Sequence, residues 1–227
     1  MSRRDAKVGI DWTRSQAAEA EFWQQGDSQY AHFSRQYWLG ELRNWDGAIS
    51  PEEFAGKNII EIGCGPKGMI HFVEANRKVG VDPLIGEYKR LRILEDGDVE
   101  HVEGVGEALS FPEGAFDMVI CFNVLDHSRE PWRVCQEMSR ILKKGGRVVF
   151  HSHCISPLFK PVRGLLTYFD KPHPWHFTLR ELERMFADAG LRPTFSKITL
   201  FHWKARTLLR HIAAKAIIRN YFGILQK

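Results

Sequence analysis

Residues 58–69 read NIIEIGCGPKGM, and their reading decides the fold. A short apolar strand runs into Gly63, Gly65 and Gly68, spaced G-x-G-x-x-G. Glycine lets the backbone approach a ligand without a Cβ in the way, and such a turn after a strand serves dinucleotides and other adenosine ligands alike. Asp82 closes the next apolar run, where a carboxylate can take both ribose hydroxyls. Two neighbours separate the candidate ligands. Glu61, inside the strand, suits an ammonium group better than a pyrophosphate. Pro66 removes a backbone N–H that a phosphate site would want.

Outward from that turn, short apolar strands alternate with helices. Strands are expected at 57–62, 78–82, 99–103, 116–122 and 146–152, and helices at 68–76, 85–95 and 130–142. Repeated units of this length imply a doubly wound, mostly parallel sheet. Thr178 with Glu181 three residues on reads as a capping box, and Gly190 as the stop of that helix. A strand at about 193–202, a basic helix at 204–219 and a last strand around YFGIL follow. Upstream, Phe22, Trp23, Tyr30, Phe33, Tyr37, Trp38, Leu42 and Trp45 recur at helical spacing across 15–46, with a break near Gly26. SPEEF at 50–54 reads as a capped helix start.

The chain has 227 residues, 44% hydrophobic and 26% charged, which suits one α/β domain with additions. No run of eighteen apolar residues is present, and the basic N-terminus lacks a following apolar stretch, so neither a membrane span nor a secretory signal is expected. Cys64, Cys121, Cys135 and Cys154 are scattered without a C-x-x-C pair, which reads as free thiols in the cytosol. Residues 189–227 carry eight Lys or Arg and no acid, so the net charge of +4 is concentrated in the tail. A basic tail suits either a solvated helix face or weak contact with an anionic membrane surface through 204–219. Nothing is arranged as a nucleic-acid platform.

Four segments, EIGCGPKG, VGVDPL, GEALSFPEGAFDMVICFNVLDH and MSRILKKGGRVVF, together resemble the class I S-adenosyl-L-methionine-dependent methyltransferases, in their broad small-molecule group. The resemblance covers about 57–151, with a looser echo in HFTLRELERMFADAGL. It implies a seven-stranded Rossmann-like α/β sheet in 57–227, an N-terminal helical lid in 1–56, and an acceptor-side insert at 155–176. It also implies roles. Gly63, Cys64 and Gly65 would cradle the methionine and ribose portions of S-adenosyl-L-methionine, and Glu61 would orient the turn and favour the ammonium. Asp82 would bind the ribose. Pro83 and Leu84 would cover an adenine face, Val105, Gly106 and Glu107 would line its edge, and Asn123 would face the methionine portion. Val105 stands where many relatives carry an Asp, so adenine recognition would rest on backbone groups or Glu107. Lys67 replaces a smaller turn residue and is expected to point to solvent.

Methyl transfer from a sulfonium is an in-line displacement, so alignment is the main task, and a base is needed only where the acceptor loses a proton. His127, His153 and His176 are the catalytic candidates. Alternation places His151 and His153 on one side of their strand. Imidazoles beside Cys154 resemble zinc ligands, but no carboxylate cluster or tight cysteine pattern accompanies them, so no metal is expected. Trp12, Trp23, Tyr30, Tyr37 and Trp38 are expected to pack the lid. The acceptor implied is a small molecule, such as a sugar or a lipid-linked amphiphile. Two other readings compete: a catalytically silent cofactor-binding domain and a nicotinamide-dependent oxidoreductase, the latter opposed by Glu61 and Pro66.

Overall fold

A computed structural model describes residues 12–24, 33–95, 97–164, 173–201 and 217–227. β1 (Asn58–Ile62) lies at the centre of the sheet and pairs in parallel with β2 (Arg77–Asp82) on one side and β4 (Phe116–Phe122) on the other. β3 (Val99–Glu103) continues beyond β2, and β5 (Leu142–Ile155) beyond β4, both in parallel. β7 (Ile218–Gln226) then pairs antiparallel with β5, and β6 (Arg192–Leu200) closes the edge antiparallel to β7. The order is β3-β2-β1-β4-β5-β7-β6. Chain direction across the sheet reverses its winding between β1 and β4, and such a switch point opens a crevice at the strands' carboxyl ends.

Alternation along the strands builds two cores. Ile60, Ile62, Val119, Cys121, Val148 and Phe150 face α4 (Pro131–Ile141) and α5 (Leu179–Asp188), through Met138, Leu182 and Phe186. Ile59, Met118, Ile120 and Val149 face α1 (Trp12–Gln24), the 3₁₀ turns at Trp45 and Phe54, and Tyr88 of α3 (Ile85–Leu91). α2 (Arg35–Glu41) is a short helix between these elements, capped by Ser34. Phe150 and Phe186, both fully buried, meet edge to face at 4.9 Å. Truncating either to alanine would cost about 3–5 kcal/mol, because the space cannot refill.

The expected capping box is present at Thr178–Glu181, the capped start at 50–54 opens a 3₁₀ turn, Pro51–Phe54, with a capping box of its own at Ser50–Glu53, and Gly190 takes the left-handed conformation with φ +76°. Four expectations change. Residues 68–76 form only a 3₁₀ turn, Met69–His71, and the chain then returns to Lys57 O through the N–H groups of Asn76 and Arg77 to enter β2. The helix expected at 85–95 stops at Leu91, where Arg92 turns left-handed. The helical N-terminal stretch is divided into α1, α2 and a 3₁₀ turn, and the break near Gly26 falls outside the described residues. Residues 202–216 also lie outside, so most of the basic helix expected at 204–219 does too. Its last two residues, Ile218 and Arg219, are strand, because β7 pairs with β5 from Ile155 outward. Leu165, Leu166, Tyr168 and Phe169 of the expected insert are likewise outside. Among the described residues no helix is long and apolar enough to cross a membrane. All four cysteines are buried and unpaired.

Candidate functional site

One cleft of about 570 Å³ opens at the carboxyl ends of β1, β2, β4 and β5, and every site residue expected from the sequence lines it. Its two ends differ in construction.

At the first end, the turn after β1 is shaped by its glycines. Gly63 and Gly65 have φ of +68° and +55°, a conformation that L side chains rarely adopt. A Cβ on Gly63 would stand 2.5 Å from Val124 Cγ2. The turn is anchored where the N–H groups of Gly63 and Cys64 donate to Val81 O. Asp82 holds both neighbouring loops: Oδ2 accepts from Gly65 N at 3.0 Å and Oδ1 from Leu84 N at 2.9 Å. Burial pushes its carboxyl up to about 6, against those donors. Glu61 sits underneath, 2% exposed, with Oε2 accepting from Ile70 N at 2.8 Å. Burial pushes it up to about 8. A Cβ on Gly68 would stand 2.5 Å from that oxygen, so the third glycine makes room for the acid. Cys64 packs over Gly80, and burial drives its thiol far above the ordinary range, which keeps it protonated.

Pro83 and Leu84 form the wall beyond Asp82, and Val105 and Gly106 face them. Glu107 lines the same end and carries a second contact. Its Oε1 accepts from Arg129 N at 2.7 Å and Glu130 N at 3.3 Å, bracing the entry to α4. Lys67 forms a pair with Glu95 at 3.4 Å at the rim. Asn123 holds φ +53°, a left-handed position for a non-glycine residue, and donates its N–H to His151 O. The aromatic segment covers this end. Trp38 Nε1 donates to Lys67 O at 2.9 Å, Trp23 lies 3.5 Å from where a Gly65 Cβ would be, and Gln24 reaches Glu87 at 3.0 Å. Across the cleft, Arg129 lies 3.8 Å over the Trp12 ring.

At the second end the side chains are imidazoles. His153 projects from β5, His127 from the turn after β4, and His173 and His176 from the segment before α5. Trp175 ties that segment to the β4 turn, with N donating to Asp126 O and Nε1 to Ser128 O at 2.7 Å. His153 Nδ1 lies 3.0 Å from Asn220 Oδ1. The Asn220 amide nitrogen donates to Leu200 O and Thr199 Oγ1, so its oxygen faces the ring and His153 Nδ1 is the donor. Burial holds His153 below its ordinary range, so the ring is neutral with its lone pair on Nε2. His151 shares that strand face as expected, but it stacks on Phe222 with ring centroids 4.6 Å apart and does not line the cleft. His127 Nδ1 is buried without a hydrogen-bond partner, so its neighbour Asp126 does not orient it.

Asn220 was not found from the sequence, since it lies in β7, far from every motif. The available signal was the pair Arg219 and Asn220 just before the apolar run from Tyr221 to Leu225.

Residues 30–194 match the model of a family described as a methyltransferase domain. A ubiquinone biosynthesis O-methyltransferase of Pseudomonas entomophila is 36% identical over 116 residues, covering 47% of this chain and 48% of that protein. The chain spans about half the length of the curated relatives it matches. The crystal structure of an S-adenosylmethionine-dependent methyltransferase from Mesorhizobium loti superposes with a TM-score of 0.59 at 14% identity, over 86% of this chain and 98% of that one. A second S-adenosylmethionine-dependent methyltransferase, from Thermotoga maritima, gives 0.58 at 19% identity over 93% and 98%. These likenesses show the fold.

Proposed function

The chain belongs to the methyltransferase-domain family, in the class I group that uses S-adenosyl-L-methionine, and from that premise we propose that it methylates an oxygen of a small acceptor held at the histidine end of the cleft. The observation that carries this reading is the continuity of the cleft from the glycine turn and Asp82 to His153.

The residues at the first end fit the cofactor. The two left-handed glycines leave backbone surface where a side chain would intrude, and Asp82 keeps lone pairs for two ribose hydroxyls beyond the two amides it already accepts. Pro83 and Leu84 offer an apolar face to the adenine, and Val105 and Gly106 its edge, with Glu107 acting as a brace for the adjoining loop. Glu61 acts by holding the turn, and Asn123 and Cys64 line the methionine side. S-adenosyl-L-methionine supplies a methyl group already activated by its cationic sulfur.

What remains for the chain is alignment, exclusion of water and, for a hydroxyl acceptor, removal of a proton. His153 is prepared for the last task. The Asn220 contact fixes its tautomer, and burial keeps Nε2 unprotonated at neutral pH. The acceptor hydroxyl loses its proton to that nitrogen, and the oxygen gains the methyl. His127 and His176 line the same space and position the acceptor. The P. entomophila relative's description as an O-methyltransferase supports an oxygen acceptor. A lid role for the N-terminal segment is supported by α1 reaching Glu87 on one wall and Arg129 on the other, and an acceptor-side role for the stretch after β5 by Ile155, His173, Trp175 and His176, which line the cleft. The four unpaired cysteines favour action in the cytosol, and the basic tail favours weak contact with anionic membrane there.

Calorimetry with S-adenosyl-L-methionine, followed by transfer of a labelled methyl to a panel of hydroxyl-bearing sugars, phenols and amphiphiles, tests the reading. A flat titration ends it. Binding with labelled product only on amines moves the acceptor atom from oxygen to nitrogen.

A further inference from the structure

The histidine end contains a second arrangement, which joins His127 to two groups not yet given a role. Asp126, His127 and His173 each place one ligand atom within 4.8 Å of the other two, and all three line the cleft. Asp126 is 3% exposed, and its Oδ1 accepts no hydrogen bond. A carboxylate oxygen removed from water without a donor is costly, so its place calls for a positive partner. His127 Nδ1 is equally buried and equally without a partner. The His127 and His173 rings stand 4.6 Å apart at 58°.

This juxtaposition is built by the backbone. The Trp175 N–H to Asp126 O bond and the Trp175 indole to Ser128 O bond hold the two segments together, and the turn from Val124 to His127 closes by its own hydrogen bond. Tetrahedral zinc with bonds of about 2.1 Å keeps its ligand atoms roughly 3.4 Å apart. Small side-chain rotations would bring the three atoms from their present spacing to that value. Two imidazoles and one carboxylate form a donor set that selects zinc-type transition metals over magnesium or calcium, which favour all-oxygen shells. The stacked pair His71 and His101 has facing nitrogens at 3.4 Å, but among the described residues no third ligand joins it.

We propose that Asp126, His127 and His173 hold a divalent transition-metal ion of the zinc type, with its open position turned into the acceptor end of the cleft. The proposal deepens the methyl-transfer reading and rests on it for the ion's use. A hydroxyl oxygen bound to the ion would be oriented and made more acidic, easing its proton loss to His153. His127 is then a metal ligand, and His153 alone remains the base.

The test uses tag-free full-length chain stripped with chelator and titrated with Co²⁺, whose visible absorption reports coordination. One equivalent of Co²⁺ per chain is expected to develop bands, and Zn²⁺ to bleach them. Asp126→Asn and His173→Gln should each weaken Co²⁺ binding tenfold or more, while His71→Gln binds as the unaltered chain does. Melting curves by circular dichroism confirm that each variant is folded. Should one of the two ligand variants unfold, the other and the bleaching by Zn²⁺ still decide. Absence of bands overturns the proposal, and so does binding that survives in both ligand variants. Calorimetry of the stripped chain with S-adenosyl-L-methionine separates the two readings: heat of binding without any Co²⁺ bands leaves the methyltransferase reading standing and removes the metal.

Discussion

The two ends of the cleft are made in different ways. The cofactor end is local. Glu61, Gly63, Gly65 and Asp82 lie on two adjoining strands and the turn after the first, and their hydrogen bonds run almost entirely to backbone. The acceptor end is assembled from distant pieces: the β4 turn, β5, the segment before α5, and Asn220 from the last strand. Backbone-made sites tolerate change in neighbouring side chains, since the turn's conformation carries the fit. Side chains drawn from four segments can be exchanged one at a time. The contrast teaches that a common cofactor can be kept at one end while the chemistry at the other is altered.

If the ends are separable, damage at one should leave the other intact. The largest effect is expected from His153→Ala, which should lower kcat by about 10²–10⁴-fold while the affinity for S-adenosyl-L-methionine stays unchanged. Single-turnover methyl transfer beside calorimetry measures both, and a matched loss of cofactor affinity would break the comparison. Asp82→Ala comes next. It removes two charge-assisted hydrogen bonds of about 1.5–3 kcal/mol each, so cofactor affinity should weaken by about 100-fold or more in calorimetry. Gly63→Ala combines a left-handed backbone with a Cβ 2.5 Å from Val124 Cγ2, and should cost about 2–3 kcal/mol of stability in a denaturant melt.

A smaller effect follows from pH. Asp82 is held up to about 6 by burial, and the bound ribose needs its ionised form. Cofactor affinity should therefore fall about tenfold between pH 7 and pH 5. The free chain should respond with the opposite sign. A raised carboxylate stabilises the fold fully below its ordinary value near 4 and loses that contribution as pH rises through about 6. Comparison with Asp82→Asn isolates this group: the affinity slope should vanish, and the stability slope should shrink to the part that Glu61, raised to about 8 by burial, contributes with the same sign. Trp38→Phe should give the smallest change, about 1 kcal/mol, by removing the indole bond to Lys67 O while keeping the stack on Phe122.

Much of the cofactor end was legible before any coordinates, because strand–turn–strand chemistry repeats at short range. Asp82 closes β2 where the sequence placed it, and the glycine spacing matches the positive φ values found. The misread helix at 68–76 has a specific cause. The chain has to come back to Lys57 O at Asn76 to enter β2, which leaves length for a single 3₁₀ turn, and no periodicity records that return. Glu107 lines the cleft as the sequence placed it, and its Oε1 also braces Arg129 and Glu130, a partnership visible only when the β3 and β4 loops lie side by side.

By itself the sequence determined the order of strands and helices, the cofactor turn with its acid, and the presence of histidines near the ends of the fourth and fifth strands. These depend on period, spacing and local backbone preference, which act over a few residues. Tertiary structure alone decided which histidine has its Nδ1 tied to an amide oxygen in the cleft, because that rests on Asn220 arriving through an antiparallel strand from the far end of the chain. It also decided that Asp126 meets His173, since their approach depends on Trp175 binding the β4 turn across the cleft. Side-chain chemistry at that end comes from groups that meet only when the sheet closes, and no short-range pattern encodes such meetings.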